Sequence, residues 1–111
     1  MKIRIYQINR YRDMHRLVFC GTRELEKYFK ITKINSGIYD MVYEGDVDCR
    51  TLDDIYEMFN LRHPDGFKGW SLSVSDVVEI IESEEIQKGF YFCDSYGFTK
   101  ISFDSEKCEV R

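Results

Sequence analysis

The stretch Phe59–Ile80, FNLRHPDGFKGWSLSVSDVVEI, constrains the fold more than any other part of the chain. Pro64 is the only proline, and it disfavours the helical region at His63, so a helix running up to Phe59 must end before it. Asp65-Gly66 reads as a turn and Gly69 frees the backbone again. Ser75-Asp76 reads as a second turn. After it, four of the five residues Val77–Ile81 are β-branched. Such residues are stiff at χ1 and suit a pleated surface, so 74–82 reads as a strand. A helix is the alternative, because Val74, Val77, Val78 and Ile81 also fit a 3.6-residue period with Ser73 or Ser75 as cap.

The remaining punctuation is consistent with an α+β domain built on a small, mostly antiparallel sheet of about five to six strands carrying two short helices. In Lys2–Ile8, Ile3 and Ile5 fall on one side of a pleat and Arg4, Tyr6 and Ile8 on the other. Leu17–Cys20, a continuous apolar run, reads as an interior strand that pairs back on the first across the polar loop Arg10–Arg16. Thr22 is expected to cap a helix whose stripe is Leu25, Tyr28 and Phe29. Asn35-Ser36-Gly37 is a turn, and Ile38–Tyr43 is extended, ending at Gly45. Thr51 opens the clearest helix, Leu52–Phe59, with Asp53 and Asp54 at its positive end and Leu52, Ile55, Met58 and Phe59 as its stripe. Phe90–Cys93 and Phe98–Phe103 form a hairpin closed at Gly97. The segment 104–111 reads as a polar, frayed tail.

One domain is expected over residues 1–111, since this length is near the common domain size and 43% of the residues are hydrophobic. No apolar run approaches the roughly 20 residues that span a bilayer, and the opening MKIRIYQINRYR has no apolar leader core, so a cytoplasmic protein is expected. Cys20, Cys49, Cys93 and Cys108 show none of the short spacing that structural zinc needs, and they read as reduced thiols, mostly buried.

The net charge of −4 conceals a division. Residues 1–33 carry nine basic and three acidic groups, and residues 34–111 carry seven and seventeen. Three surfaces follow as candidates for a partner. The basic loop Arg10, Tyr11, Arg12 and Arg16 has the interleaved cations and ring that grip phosphate and stack a base. The acidic segment Glu44, Asp46, Asp48, Asp53, Asp54 and Glu57 suits a cationic partner. The loop holding Phe67 and Trp70, the only tryptophan, has hot-spot composition beside Arg62 and Lys68.

No catalytic set, metal site or cofactor is expected. Cys93-Asp94 with His63 is the best nucleophilic arrangement available, and it needs His63 within hydrogen-bond reach of the sulfur. Asp46, Asp48, Asp53 and Asp54 lack the glycine and closing glutamate of a calcium loop. Asp76, Asp94 and Asp104 are the carboxylates from which a metal-dependent hydrolase would be built. Pro64-Asp65 is shared with a nuclease signature, but that signature needs an acid and a lysine two residues apart, and Glu79-Ile80-Ile81 has no lysine. Asp76 reads better as the acceptor of its own turn.

Taken together, Phe59-Asn60, His63-Pro64, Phe67-x-Gly69 and Ser71-Leu72-Ser73-Val74-Ser75-Asp76-Val77-Val78, with the opening IYQINRYRD and the late FYFCDSYGF, resemble the YodL-like domain from Lys2 to about Phe103. Trp70 departs from the pattern, where a basic residue is expected. The resemblance implies a small bacterial module often carried on phages and other mobile elements, in places fused beside antirestriction-type domains. It implies no enzymatic activity. One relative is linked to interference with cell-shape machinery, which implies action through a bound protein. The expectation is a binding protein that inhibits or modulates a host complex, such as a CRISPR effector or restriction enzyme. Direct nucleic-acid binding through the basic loop is the alternative.

Overall fold

Alternation along the first strand divides the molecule into two faces. The computed structural model describes residues 1–111. In β1 (Lys2–Ile8), Ile3 and Ile5 enter one hydrophobic cluster and Tyr6 and Ile8 enter another on the opposite side, as the pleat requires. β1 is flanked antiparallel by β2 (Tyr39–Asp46) and β3 (Val77–Glu82). Beyond β3 lie β4 (Gly89–Cys93) and β5 (Phe98–Ile101), and beyond β2 lies the short parallel β6 (Glu109–Val110), in the order β5-β4-β3-β1-β2-β6. The domain is therefore α+β, with α1 (Thr22–Phe29) on one face and α2 (Leu52–Leu61) on the other. The β-branched run at Val77 is a strand, entered from the Ser75-Asp76 turn.

α2 forms where the sequence requires it. Thr51 accepts the Asp54 N–H while the Asp54 carboxylate accepts from the Thr51 backbone, a complete capping box. Ile55 and Phe59 are fully buried against Ile3, Ile5, Val78 and Ile80, with Leu52 and Met58 at the margin. The opposite cluster joins Leu25 of α1 to Tyr6, Ile8, Tyr39, Val77 and Phe92. In β2 the register slips opposite Ile5 and Tyr6, so Val42 is an extra, bulged residue. Its carbonyl turns out of the ladder and accepts the Lys68 N–H at 2.9 Å, which ties the 62–70 loop to the sheet.

Several local expectations are corrected. Leu17–Cys20 is not a strand: both edges of β1 are already taken by β2 and β3, and the Leu17 and Val18 N–H groups bond the Asp13 carboxylate at 2.8 and 2.9 Å. Arg16 and Phe19 adopt positive φ within this loop. α1 buries only Leu25, leaving Tyr28 and Phe29 exposed, because Lys30 turns left-handed after two turns and Ile31 and Ile34 fill the core instead. The segment 104–111 is not frayed. Asp104 caps a single 3-10 turn, Ser105–Lys107, and β6 pairs with β2.

Thr22 does not cap α1 either. It is the first helical residue, and its N–H donates to Asp94, which arrives from the β4–β5 connection. Asp94 also accepts from the hydroxyls of Thr22 and Thr99 and from the Ser95 N–H. Glycine at position 21 allows this approach, since a Cβ there would lie 2.6 Å from the Asp94 carboxylate. Burial alone would raise the Asp94 carboxyl, but these donors outweigh it and hold it below the usual 3.8. A depressed carboxyl stabilises the fold above its unfolded pKa, and that contribution is lost as pH falls through the folded value. Asp94→Ala is expected to cost about 0.5–2 kcal/mol at neutral pH in urea denaturation. Thr22→Ala should cost less, because the backbone N–H keeps its acceptor. Equal losses would show that Asp94 is not the cap.

Candidate functional site

The strongest polar feature of the fold lies at the C-terminal end of β1. Gln7 follows two apolar neighbours on its own face, Ile3 and Ile5, and is itself fully buried. Its Oε1 accepts the Trp70 N–H at 3.2 Å, and its Nε2 donates to the Trp70 carbonyl at 2.8 Å and to Asp76 Oδ2 at 3.1 Å. Asp76 Oδ2 also accepts the Ser73 N–H at 2.8 Å, so this residue serves its own turn. Gly69 is needed beside this group, since a Cβ there would sit 2.1 Å from Gln7 Oε1. Next to Asp76, Ser75 is buried at φ +86, an unusual conformation for a residue with a side chain. Three bonds hold it: its N–H donates to the Cys93 carbonyl, its carbonyl accepts from the Tyr39 hydroxyl, and its Oγ accepts the Phe19 N–H.

These contacts set the surroundings of the catalytic candidates. Asp76 is pushed up to about 8 by burial, against the donors from Ser73 and Gln7, and it faces no cleft. Cys93 is buried, and its thiol is raised to about 12 by that burial and by the nearby carboxylates of Asp76 and Asp94. His63 is exposed and stacks edge-on against Phe67 at 5.0 Å, with no hydrogen bond to Cys93. No three His, Cys, Asp or Glu side chains come together in an arrangement that would hold a metal ion. All four cysteines are free thiols: Cys49 and Cys93 are buried, Cys20 and Cys108 half-buried.

The basic loop divides between one residue bonded into the protein and three that are exposed. Arg12 donates to the buried Asp40 and to the carbonyls of Gly37 and Tyr39, and it pairs with Glu109. Burial would raise the Asp40 carboxyl, yet hydrogen bonds from Arg12 and Asn9 and the charges of Arg12 and Arg111 hold it low. The Arg10 guanidinium lies 4.9 Å from the Trp70 ring and 5.4 Å from that of Phe19. Arg16 is exposed, and Tyr11 is 98% exposed. Of the three cations predicted to grip phosphate, Arg12 is thus an internal strut, while Arg10 and Arg16 are exposed.

The aromatic loop divides as well. Phe67 is half-buried in the α2 cluster, 5.0 Å from Phe59 and 6.4 Å from Tyr43. Trp70 is half-buried, its indole N–H is buried without an acceptor, and Arg111 stands 5.3 Å from its ring.

The acidic segment does not make one face. Glu44 pairs with Arg4 on the α1 side of the sheet, together with Glu79. Asp54 is spent in the capping box, where the Arg50 and Thr51 N–H groups lower its carboxyl. Asp53 lies beside Asp94 and Ser95 in a separate groove, and Asp48 and Glu57 are exposed. Asp46 joins instead with residues not singled out from the sequence. In the ladder Lys2 sits between Asp46 and Glu82, and a groove of about 480 Å³ at this end is lined by Met1, Lys2, Asp46, Glu82, Glu84 and Glu85. This acidic end and the basic loop lie at opposite ends of β1, roughly 20 Å apart for seven residues of strand. That exceeds the screening length of about 8 Å at physiological salt, so the two ends act on a partner separately.

Asp76 yields a pH dependence of unusual sign for a carboxyl. Its folded pKa is raised, so the folded state holds a proton that the unfolded state releases above about 3.8. Stability from this group is complete below that value and declines as pH rises to about 8, by at most about 1.4 kcal/mol per unit. Asp76→Asn is expected to flatten the decline between pH 5 and 8 in urea titrations. An unchanged slope would show that Asp76 is ionised in the folded protein.

No curated protein and no solved structure matches this chain. The family model described as the YodL-like domain matches residues 2–103, which spans β1 to β5 and both helices and leaves 104–111, with β6, outside. With that span matched, the chain belongs to the YodL-like domain family.

Proposed function

We propose that this YodL-like domain is a non-enzymatic protein-binding module that inhibits or modulates a host complex by covering a functional surface. The target class is a nucleic-acid-binding effector of a defence system, such as a CRISPR effector or a restriction enzyme, met when a mobile element carrying the module enters the cell. The observation that carries this reading is the engagement of Asp76, Cys93 and Asp94 in structure, all bonded or buried inside the fold. What remains for a partner is surface. The acidic end around Asp46, Glu82, Glu84 and Glu85 is complementary to a basic nucleic-acid channel, and such complementarity mainly accelerates encounter and selects the partner. Four free thiols fit the reducing cytoplasm, and no helix is long and apolar enough to cross a membrane.

Affinity capture from the native host after nuclease treatment, followed by mass spectrometry, is expected to retain a protein complex. Reversing Asp46, Glu82 and Glu84 to lysine should slow association at least about tenfold and leave the urea midpoint close to that of the unaltered chain. Asp54 is left intact, since reversing it would break the α2 cap. Capture that disappears with nuclease would favour the nucleic-acid reading, and an unchanged association rate would refute the role of the acidic end.

A further inference from the structure

Residues 104–111 behave as a ligand bound to the rest of the chain. None of them is buried, and no apolar side chain anchors them in either cluster apart from the half-buried Cys108. Polar contacts hold the segment. Glu109 and Val110 pair with Asp40 and Met41 on the outer edge of β2, and the Arg111 N–H donates to the Met41 carbonyl at 3.0 Å. Glu109 meets Arg12 at 3.2 Å. Arg111 meets Asp40 at 3.2 Å, and its guanidinium lies 5.3 Å from the Trp70 ring.

The receiving groups are built differently. Asp40 is only 4% exposed and is held by Arg12 and Asn9, so it keeps partners when Arg111 leaves. Trp70 is fixed through both backbone polar groups by the buried Gln7. Arg12 is anchored on the Gly37 and Tyr39 carbonyls. A strand edge, a buried carboxylate facing an arginine, an aromatic wall and a cation facing a glutamate form a preorganised groove. All of these receiving groups lie within the family-matched residues 2–103, whereas the segment seated on them lies outside.

We propose that the outer edge of β2, with Asp40, Trp70 and Arg12, is a docking groove for an extended segment of a partner protein carrying the pattern Glu-x-Arg, and that residues 104–111 occupy it in cis until displaced. The partner segment adds to the β2 edge through its backbone and places its arginine between Asp40 and Trp70. This inference does not depend on the acidic end, and either surface can fail alone.

The test uses the full chain with Glu109→Ala and Arg111→Ala, titrated with a labelled peptide of residues 104–111 in which the cysteine is replaced by serine. The readouts are anisotropy and the emission of the single tryptophan. A tethered segment competes at an effective concentration in the mM range, so the double variant should bind the peptide at least about tenfold more tightly than the unaltered chain. Replacing the peptide's arginine with glutamine should weaken binding at least about tenfold. No binding to the double variant, or binding indifferent to the arginine, overturns the proposal. So does a double variant that fails to fold, since the segment would then be an integral strand. A concentration-dependent dimer of the unaltered chain in sedimentation would assign the groove to a second copy and overturn it as well.

Discussion

The hydrogen bonds of Gln7 tie the central strand to the connection between α2 and β3. A fully buried amide in the central strand satisfies Trp70 through both backbone groups and reaches Asp76 with its remaining donor. Each such group, left unpaired in this setting, would cost about 1–3 kcal/mol. The network therefore anchors the 62–76 connection, which has no regular structure of its own, at Trp70, Ser73 and Asp76. Through Ser75 the same corner holds Phe19, and through Tyr39 it reaches the start of β2. The Trp70 ring, the Arg10 stack and the edge of β2 are positioned as a consequence.

The same corner takes Asp76 and Cys93 into the interior, and Asp94 into a helix cap, away from the roles a nucleophile or general base would need. A catalytic carboxylate or thiol needs a pKa near the working pH and access to a substrate. Asp76 has the first without the second, and Cys93 has neither. Asp94 is accessible in part, but it is held ionised by the helix end it caps. These groups shape backbone, and the exposed charge is arranged by the direction of β1.

Much of this fold was legible in the sequence because local chemistry and tertiary packing agree. The β-branched run at Val77, the Thr51/Asp54 box, the stop before Pro64 and the alternation in Lys2–Ile8 are each read correctly from neighbours. The errors fall where a distant residue takes over a local role. Leu17–Cys20 is apolar enough for a strand, but Asp13 claims its amides and β1 has no free edge. Thr22 has the chemistry of a cap, but Asp94, distant in sequence, supplies it. Among site residues, Arg12 and Arg16 look equivalent in the sequence. Only the fold brings Asp40 beneath one of them, and no local pattern announces Asp40, Gln7 or Arg111 as partners. Glu82, Glu84 and Glu85 were visible as charge, yet their union with Asp46 follows from strand order alone.

Strand order also separates the two proposed surfaces, which would recognise a partner in different ways. At the Lys2 end, carboxylates exposed to water add little to affinity once screened, but they bias the approach and orientation of a cationic partner over distances near the Debye length. At the outer edge of β2, contacts are short, partly desolvated and directional, which favours slow release and discrimination by side-chain identity. A partner that engaged both would first be oriented by the acidic end and then be held along the edge. Because β1 and β2 are antiparallel neighbours, the two surfaces meet at Asp46 and Asp40 of one strand, six residues and roughly 20 Å apart. Between them β2 carries no β6 partner, but the Val42 carbonyl is taken by the Lys68 N–H, so the 62–70 loop stands between the two surfaces and keeps them distinct.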